Sequence, residues 1–259
     1  MIMLKLISVG LSALLFVACS STPTPPRTND HAPLVQVPAG EFTMGSDVLP
    51  NEKPIHPIYL DAFWIDQYEV SNLLYQKCVE AQACPPPVEG YTDRHPNGYF
   101  TNPKYSNYPV AHVTWSEADR YCQWAGKRLP TEAEWEKAAR GTDARNFPWG
   151  ATFDAQRVNS AYNELVTVAV DSYPDGVSPY GAFNMSGNVW EWTADWYDED
   201  YYTISPRDNP TGPLTGTLKT LRGGGYGVFD AAMRTSLRRD MAPVTRVPYI
   251  GFRCARSAH

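Results

Sequence analysis

Cysteine is scarce in this 259-residue chain, with five in all and none between Cys122 and Cys254. Histidine is equally scarce. His31, His56, His95, His112 and His259 make no HxxxH or HExxH spacing, which excludes the usual helical zinc sites. There is no run of Lys or Arg, and 22 basic against 28 acidic side chains leave a net charge of −6. Nothing in that balance attracts the phosphate backbone of nucleic acid. No apolar stretch reaches the ~20 residues that span a bilayer, and no internal repeat is present. What is there is 43% hydrophobic and 13% aromatic, with 23 Pro and 18 Gly. That composition fits a compact, loop-rich globule with a sizeable core rather than a disordered chain.

The longest apolar run, residues 6–18, follows a lone Lys5 and ends in small residues and Cys19. Its length and flanks predict a signal peptide over residues 1–18 rather than a transmembrane helix. Phe16-Val17-Ala18-Cys19 resembles a bacterial lipobox, so Cys19 is expected to carry lipid and to tie the chain to a membrane of the cell envelope. Cleavage near Ala18 without lipid is the alternative. Ser20 after the cysteine favours the outer membrane, by analogy with Gram-negative sorting. Residues 19–33 are Pro-rich and aperiodic. They read as a tether reaching on the order of 40 Å at about 3.1 Å per residue, with the globular domain over residues 34–259.

Within that domain, LVQVPAGEFTMGS and IYLDAFWIDQYEV alternate as strands, the second setting apolar Ile58, Leu60, Phe63 and Ile65 among polar partners. Ser71 caps a helix that ends before the triple proline at 85–87. Residues 85–110 read as a long irregular loop of the kind that forms binding rims. Around residues 115–141 two helix starts follow one another. Ser116 with Asp119 reads as a first N-cap pair, and Ala118, Tyr121, Cys122 and Ala125 form an apolar stripe stopped by Gly126. Thr131 with Glu134 is a capping box for a second helix, whose buried side is Trp135, Ala138 and Ala139 and whose stop is Gly141. The linker GKRLP makes a corner of the two.

Four ordered stretches, YCQWAGKRLPTEAEWEKAARG at 121–141, SPYGAFNMSGNVWEWTADWY at 178–197, LRGGGY at 221–226 and GFRCAR at 251–256, resemble the formylglycine-generating enzyme (sulfatase-modifying factor) family. The likeness begins with VPAGEFTMGS at 37–46. It implies an α+β, irregular single domain with little regular secondary structure, similar to the C-type lectin-like fold, in which loops over a small scaffold do the binding. The family's enzymes oxidise a substrate cysteine with dioxygen through copper held by two closely spaced cysteines, shortly after a GGSY-like segment. Thiolates suit this task because soft sulfur stabilises Cu(I). In this chain the matching segment, 223–240, reads GGGYGVFDAAMRTSLRRD. It has no cysteine, and Gly225 stands where the enzymes have Ser. Copper is therefore not expected, nor is formylglycine formation by that route.

Setting Cys19 aside, the remaining four cysteines allow three pairings in an oxidising compartment. The resemblance implies Cys122 with Cys254, which leaves Cys78 with Cys84 to close a short loop at a helix end. Buried reduced thiols are the alternative. The resemblance also implies calcium as a structural cofactor, held by the Asn184 side chain, the Gly187 and Val189 carbonyls and the Glu191 carboxylate. Such hard oxygen donors suit the ion. A second site would start at Asn159 and Ser160, with only Asn163 and Glu164 near it in sequence. Read without calcium, the same stretch is a strand turn with Trp190 and Trp192 in the core and Glu191 in solvent. His112 reads as a core histidine.

Arg222, Arg234, Arg238 and Arg239 form a basic group in an acidic chain. Arg222, Arg234 and Arg238 are candidates to line a groove for a carboxylate or an anionic peptide, or else to pair with Asp195, Asp198 or Glu199. If catalysis survives, the suspects are Tyr226, Asp230, Arg234 and Glu191. The expectation is a lipid-anchored envelope domain that binds a peptide, a glycan or an envelope protein. The alternative is an oxidoreductase-type enzyme that modifies a peptide without the cysteine pair.

Overall fold

The computed structural model describes residues 24–88 and 98–258. The expected signal peptide, Cys19, His95 and His259 lie outside the described residues. Within them, nine short strands make three small sheets, and three helices pack between these. This is the α+β arrangement of sparse regular structure that the motifs imply.

Strand β1 (Leu34–Val37) and strand β2 (Gly40–Met44) flank a turn but do not pair with each other. β2 pairs antiparallel with β3 (His56–Leu60). β1 pairs with β4 (Phe63–Asp66). Sequence alternation predicts a polar outer face for β4, yet Trp64 and Asp66 are buried along with Phe63 and Ile65. The Asp66 carboxylate tolerates burial because the backbone N–H of Cys254 and the ammonium of Lys127 both donate to it.

Helix α1 (Asn72–Glu80) is capped by Ser71, which accepts from the Leu74 N–H at 3.3 Å. Helix α2 (Trp115–Trp124) starts two residues earlier than the Ser116–Asp119 signal suggests. Its cap is Thr114, whose hydroxyl accepts from Glu117 N–H while the Glu117 carboxylate reaches back to Thr114 N–H at 2.9 Å. Thr114 and Glu117 stand at the same three-residue spacing, and Glu has the reach that a capping box needs. Asp119 instead accepts from Gln123 one turn on. The predicted stripe holds: Ala118, Tyr121, Cys122 and Ala125 are all fully buried. Gly126, at φ +76°, takes the chain out of the helix. Helix α3 (Glu132–Arg140) has the expected Thr131–Glu134 box and ends at Gly141, φ +68°.

The corner between α2 and α3 carries a group that sequence reading missed. Lys127 lies 2.6 Å from Asp30 and 2.7 Å from Asp66, with all three side chains at most 2% exposed. The Tyr121 hydroxyl donates to Asp30 at 2.8 Å. Residues 28–33 therefore belong to the folded domain and do not form the end of a free tether. Their polar, Pro-rich composition hides this, because the partner that buries Asp30 is 97 residues away.

The third sheet has the order β7-β6-β5-β8. Its core strand β5 (Trp190–Trp196) runs antiparallel to β6 (Lys219–Arg222) and parallel to β8 (Ile250–Gly251), and β7 (Arg239–Met241) sits at the edge. From β8 the chain passes through Phe252 and Cys254 into β9 (Ala255–Ser257), which pairs with β4. The disulfides Cys78–Cys84 and Cys122–Cys254 are both formed, and the second joins α2 to this last crossing. Asp195, on β5, is fully enclosed and accepts from the first N–H of α3, that of Glu132, at 2.7 Å. Burial, reinforced by the charge of Glu132, pushes the Asp195 carboxyl up to about 8.

Two outcomes are expected. Replacing both Cys122 and Cys254 by Ala lowers the unfolding free energy by about 2–5 kcal/mol, and replacing Cys78 and Cys84 lowers it by less, because the loop they close is 6 residues against 132. Equal urea midpoints for the two double variants would contradict this. Because the native state holds the Asp195 proton to a higher pH than the unfolded chain, this residue makes stability fall as pH rises from about 4 towards 8. Denaturant titrations across that window should show a shallower decline for Asp195→Asn than for the native protein.

Candidate functional site

The segment 223–240 leaves β6 at Arg222 and returns to the sheet at β7. Gly223 lies so close to Trp135, and Gly225 to Trp190, that a Cβ on either would come within 3.1 Å of an indole carbon. This close approach lets Tyr226 fold inward, where it is 1% exposed. The segment then continues through a short 3-10 turn, Asp230–Met233. A cavity of about 190 Å³ remains between Trp190, Gly225, Tyr226, Gly227, Val228, Arg239 and Tyr249. A larger cavity of about 430 Å³ shares no residue with it and lies beside Phe63, Arg128 and Asn209.

Three of the arginines expected in the groove do not line it. Arg222 is fully buried and pairs with Glu132 at 3.2 Å and with Glu136, and it also donates to the carbonyls of Thr235 and Ser236. Arg238 grips Glu132 through two bonds, 2.7 and 3.0 Å, and stacks on Tyr202 at 4.1 Å. Arg234 forms a fork on Glu52 at 2.6 and 2.7 Å. Ion pairing is thus the outcome, but the carboxylates come from α3 and from residue 52, not from 195–199. Burial raises the Glu132 carboxyl, but Arg238 and Arg222 outweigh it and hold Glu132 below the usual carboxylate range. Arg239 alone of the four is exposed, and its guanidinium lies 5.3 Å above the Trp190 ring.

The catalytic suspects are scattered. Tyr226 lines the cavity, whereas Asp230 accepts from the Tyr162 hydroxyl at 3.2 Å and Arg234 is committed to Glu52. Glu191 is not in solvent: it is fully buried, and Arg253 donates to both of its oxygens at 2.7 Å while Trp135 Nε1 donates at 2.8 Å. His112 is buried, as a core histidine should be.

Around the expected calcium ligands the structure adds Glu69. Its carboxylate is 1% exposed, and Asn184 and Asn188 donate to Oε2 at 2.7 and 3.2 Å, while Oε1 has no hydrogen-bond partner among the described residues. Burial and the nearby Glu191 charge push the Glu69 carboxyl up to about 8. Among the described residues the Arg253 guanidinium spends its carboxylate hydrogen bonds on Glu191 and makes none to Glu69. An unfilled carboxylate oxygen beside the Asn184 side chain and backbone carbonyls is a hard-donor set that fits Ca²⁺, while the Glu191 oxygens are already occupied by Arg253 and Trp135. Glu69 stands in IDQYEVS beside Asp66, Gln67 and Ser71, so nothing local in the sequence marks it as buried. At the second expected site, Asn159 donates to Val166 and Asn188, and Ser160 bonds to Asn163, leaving Asn159 Oδ1 without a partner among the described residues.

Comparison with known proteins agrees with this geometry. The Sulfatase-modifying factor enzyme 1-like domain matches residues 20–258. The chain is 33% identical to the formylglycine-generating enzyme of Mus musculus over 89% of its own length and 76% of that protein. It is 35% identical to the formylglycine-generating enzyme of Streptomyces coelicolor, over 86% of this chain and 89% of that one. Among solved structures, PvdO from Pseudomonas aeruginosa superposes with a TM-score of 0.77 at 28% identity, covering 91% of this chain and all of that one. From its motifs, its disulfide-tied helix corner and these matches, the chain belongs to the sulfatase-modifying factor enzyme 1-like family, the family of the formylglycine-generating enzymes.

Proposed function

We propose that this chain is an exported, lipid-anchored binding member of that family, which takes a peptide, glycan or protein partner in the groove beside Trp190 and does not form formylglycine by the copper route. The observation that carries the reading is that all four cysteines in the described residues are joined in disulfides, while the segment 223–240 contains none. The family's copper route needs a pair of thiolates, and a disulfide sulfur cannot supply one. The groove itself persists as an aromatic cavity with a basic rim. Lipid on Cys19 would hold the domain at the envelope surface. Among the described residues no helix is long and apolar enough to cross a membrane.

The family relation supports a second reading, in which the groove oxidises or otherwise modifies a peptide by a route that does not need the cysteine pair. Tyr226 would then face the substrate, because it is the one suspect that lines the cavity. Calcium, in both readings, serves the scaffold: Asn184, Gly187 and Val189 would hold it together with Glu69, since Glu191 is engaged by Arg253 and Trp135, and Asn159 with Ser160 would hold a second ion.

Incubation of the purified protein with copper, dioxygen and a cysteine-containing sulfatase peptide is expected to leave the peptide mass unchanged. Appearance of the aldehyde would falsify the binding reading, and oxygen uptake without aldehyde would favour the second. Added CaCl₂ should raise the melting temperature, by an amount corresponding to about 2.7 kcal/mol at a hundredfold excess over Kd. Glu69→Gln should reduce that rise. An unchanged melting curve in the native protein removes calcium from the account.

A further inference from the structure

The four clustered arginines divide into two kinds. Arg222, Arg234 and Arg238 are sunk into Glu132, Glu136 and Glu52. Arg239 has no carboxylate within ion-pair distance among the described residues, although the chain carries a net charge of −6. Its backbone is fixed by the pairing of β7 with β6, where Arg239 stands opposite Leu221. Its guanidinium is held over the face of Trp190. A guanidinium held by cation–π attraction over an indole still has N–H groups free to meet a carboxylate through two parallel hydrogen bonds.

Beside that edge is the cavity of about 190 Å³ walled by Trp190, Tyr226, Tyr249 and Val228, with Gly225 and Gly227 adding no side chain. An apolar cavity of about 150 Å³ accommodates a benzene ring, so this one holds one aromatic side chain and little more. The walls offer ring faces and edges for offset or T-shaped contact. Taking the groove to be the ligand site, as proposed above, we infer that its ligand is an aromatic carboxylate. The ring enters between Trp190, Tyr226 and Tyr249, and the carboxylate is received by Arg239. The C-terminal aromatic residue of a peptide and a free aromatic acid both present this chemistry.

The test is binding of small probes to the full folded domain, followed calorimetrically and through the indole N–H resonances. N-acetylphenylalanine should bind at least tenfold more tightly than its amide and than N-acetylalanine. Arg239→Gln, at an exposed position, should keep the native melting temperature and bring the acid down to the affinity of the amide, with Arg239→Lys in between. A hexapeptide ending in Phe that binds more tightly than the free acid identifies a peptide terminus as the source, and equal affinity identifies a free acid. If acid and amide bind equally, or Arg239→Gln changes neither, the carboxylate assignment is overturned while the groove remains a ligand site. If no probe perturbs Trp190 or binds at millimolar concentration, the groove reading falls with it.

Discussion

Glu132 and Glu136, one turn apart on α3, are the carboxylates on which the remainder of the site depends. Glu132 receives Arg222 from β6 and Arg238 from the returning segment, and Glu136 receives Arg222 and Arg140 and accepts the backbone N–H of Gly45. One face of a nine-residue helix thus fixes three otherwise separate stretches of chain. In a domain whose strands are two to seven residues long, backbone ladders cannot do this. Charge-assisted hydrogen bonds with a defined direction replace them.

Such an arrangement has a particular energetic character. Burying each ion costs several kcal/mol, and the pairs recover that cost only because nearly every donor and acceptor is used. The net gain over apolar packing is small, but removing one partner leaves a bare charge in the interior. The network therefore specifies one arrangement of irregular loops more than it adds stability. Lys127 with Asp30 and Asp66, and Arg253 with Glu191, repeat this logic at the two ends of β4 and β5. The exceptions among the described residues are Glu69 Oε1, Arg140 Nε and Arg222 Nε, buried atoms with no hydrogen-bond partner.

What was legible in the sequence is what is local. The Thr131–Glu134 box, the α2 stripe and the glycine stops at 126 and 141 are short-range patterns, and each appears as read. The Cys122–Cys254 bridge was legible through the family motifs alone. The partners of the arginines were not, because Glu132 and Glu136 are 86–90 residues from Arg222 and Glu52 is 182 from Arg234, so nearer acids in sequence drew the assignment. Asp30 was hidden for the same reason. The groove's location was legible as a segment, but which arginine faces it depends on which ones find carboxylates first.

The reach of these contacts bears on how the chain becomes native. Glu191 lacks its counter-ion until Arg253 has emerged, Asp66 and Cys122 both wait for Cys254, and β4 stays an open edge until β9 arrives. A polypeptide delivered lengthwise cannot close any of the three before residues 253–257 have emerged. Most of its loops must then order together, in a slow step governed by topology. During that interval two tryptophan-bearing strands, β4 and β5, lack the partners that cover them in the native fold.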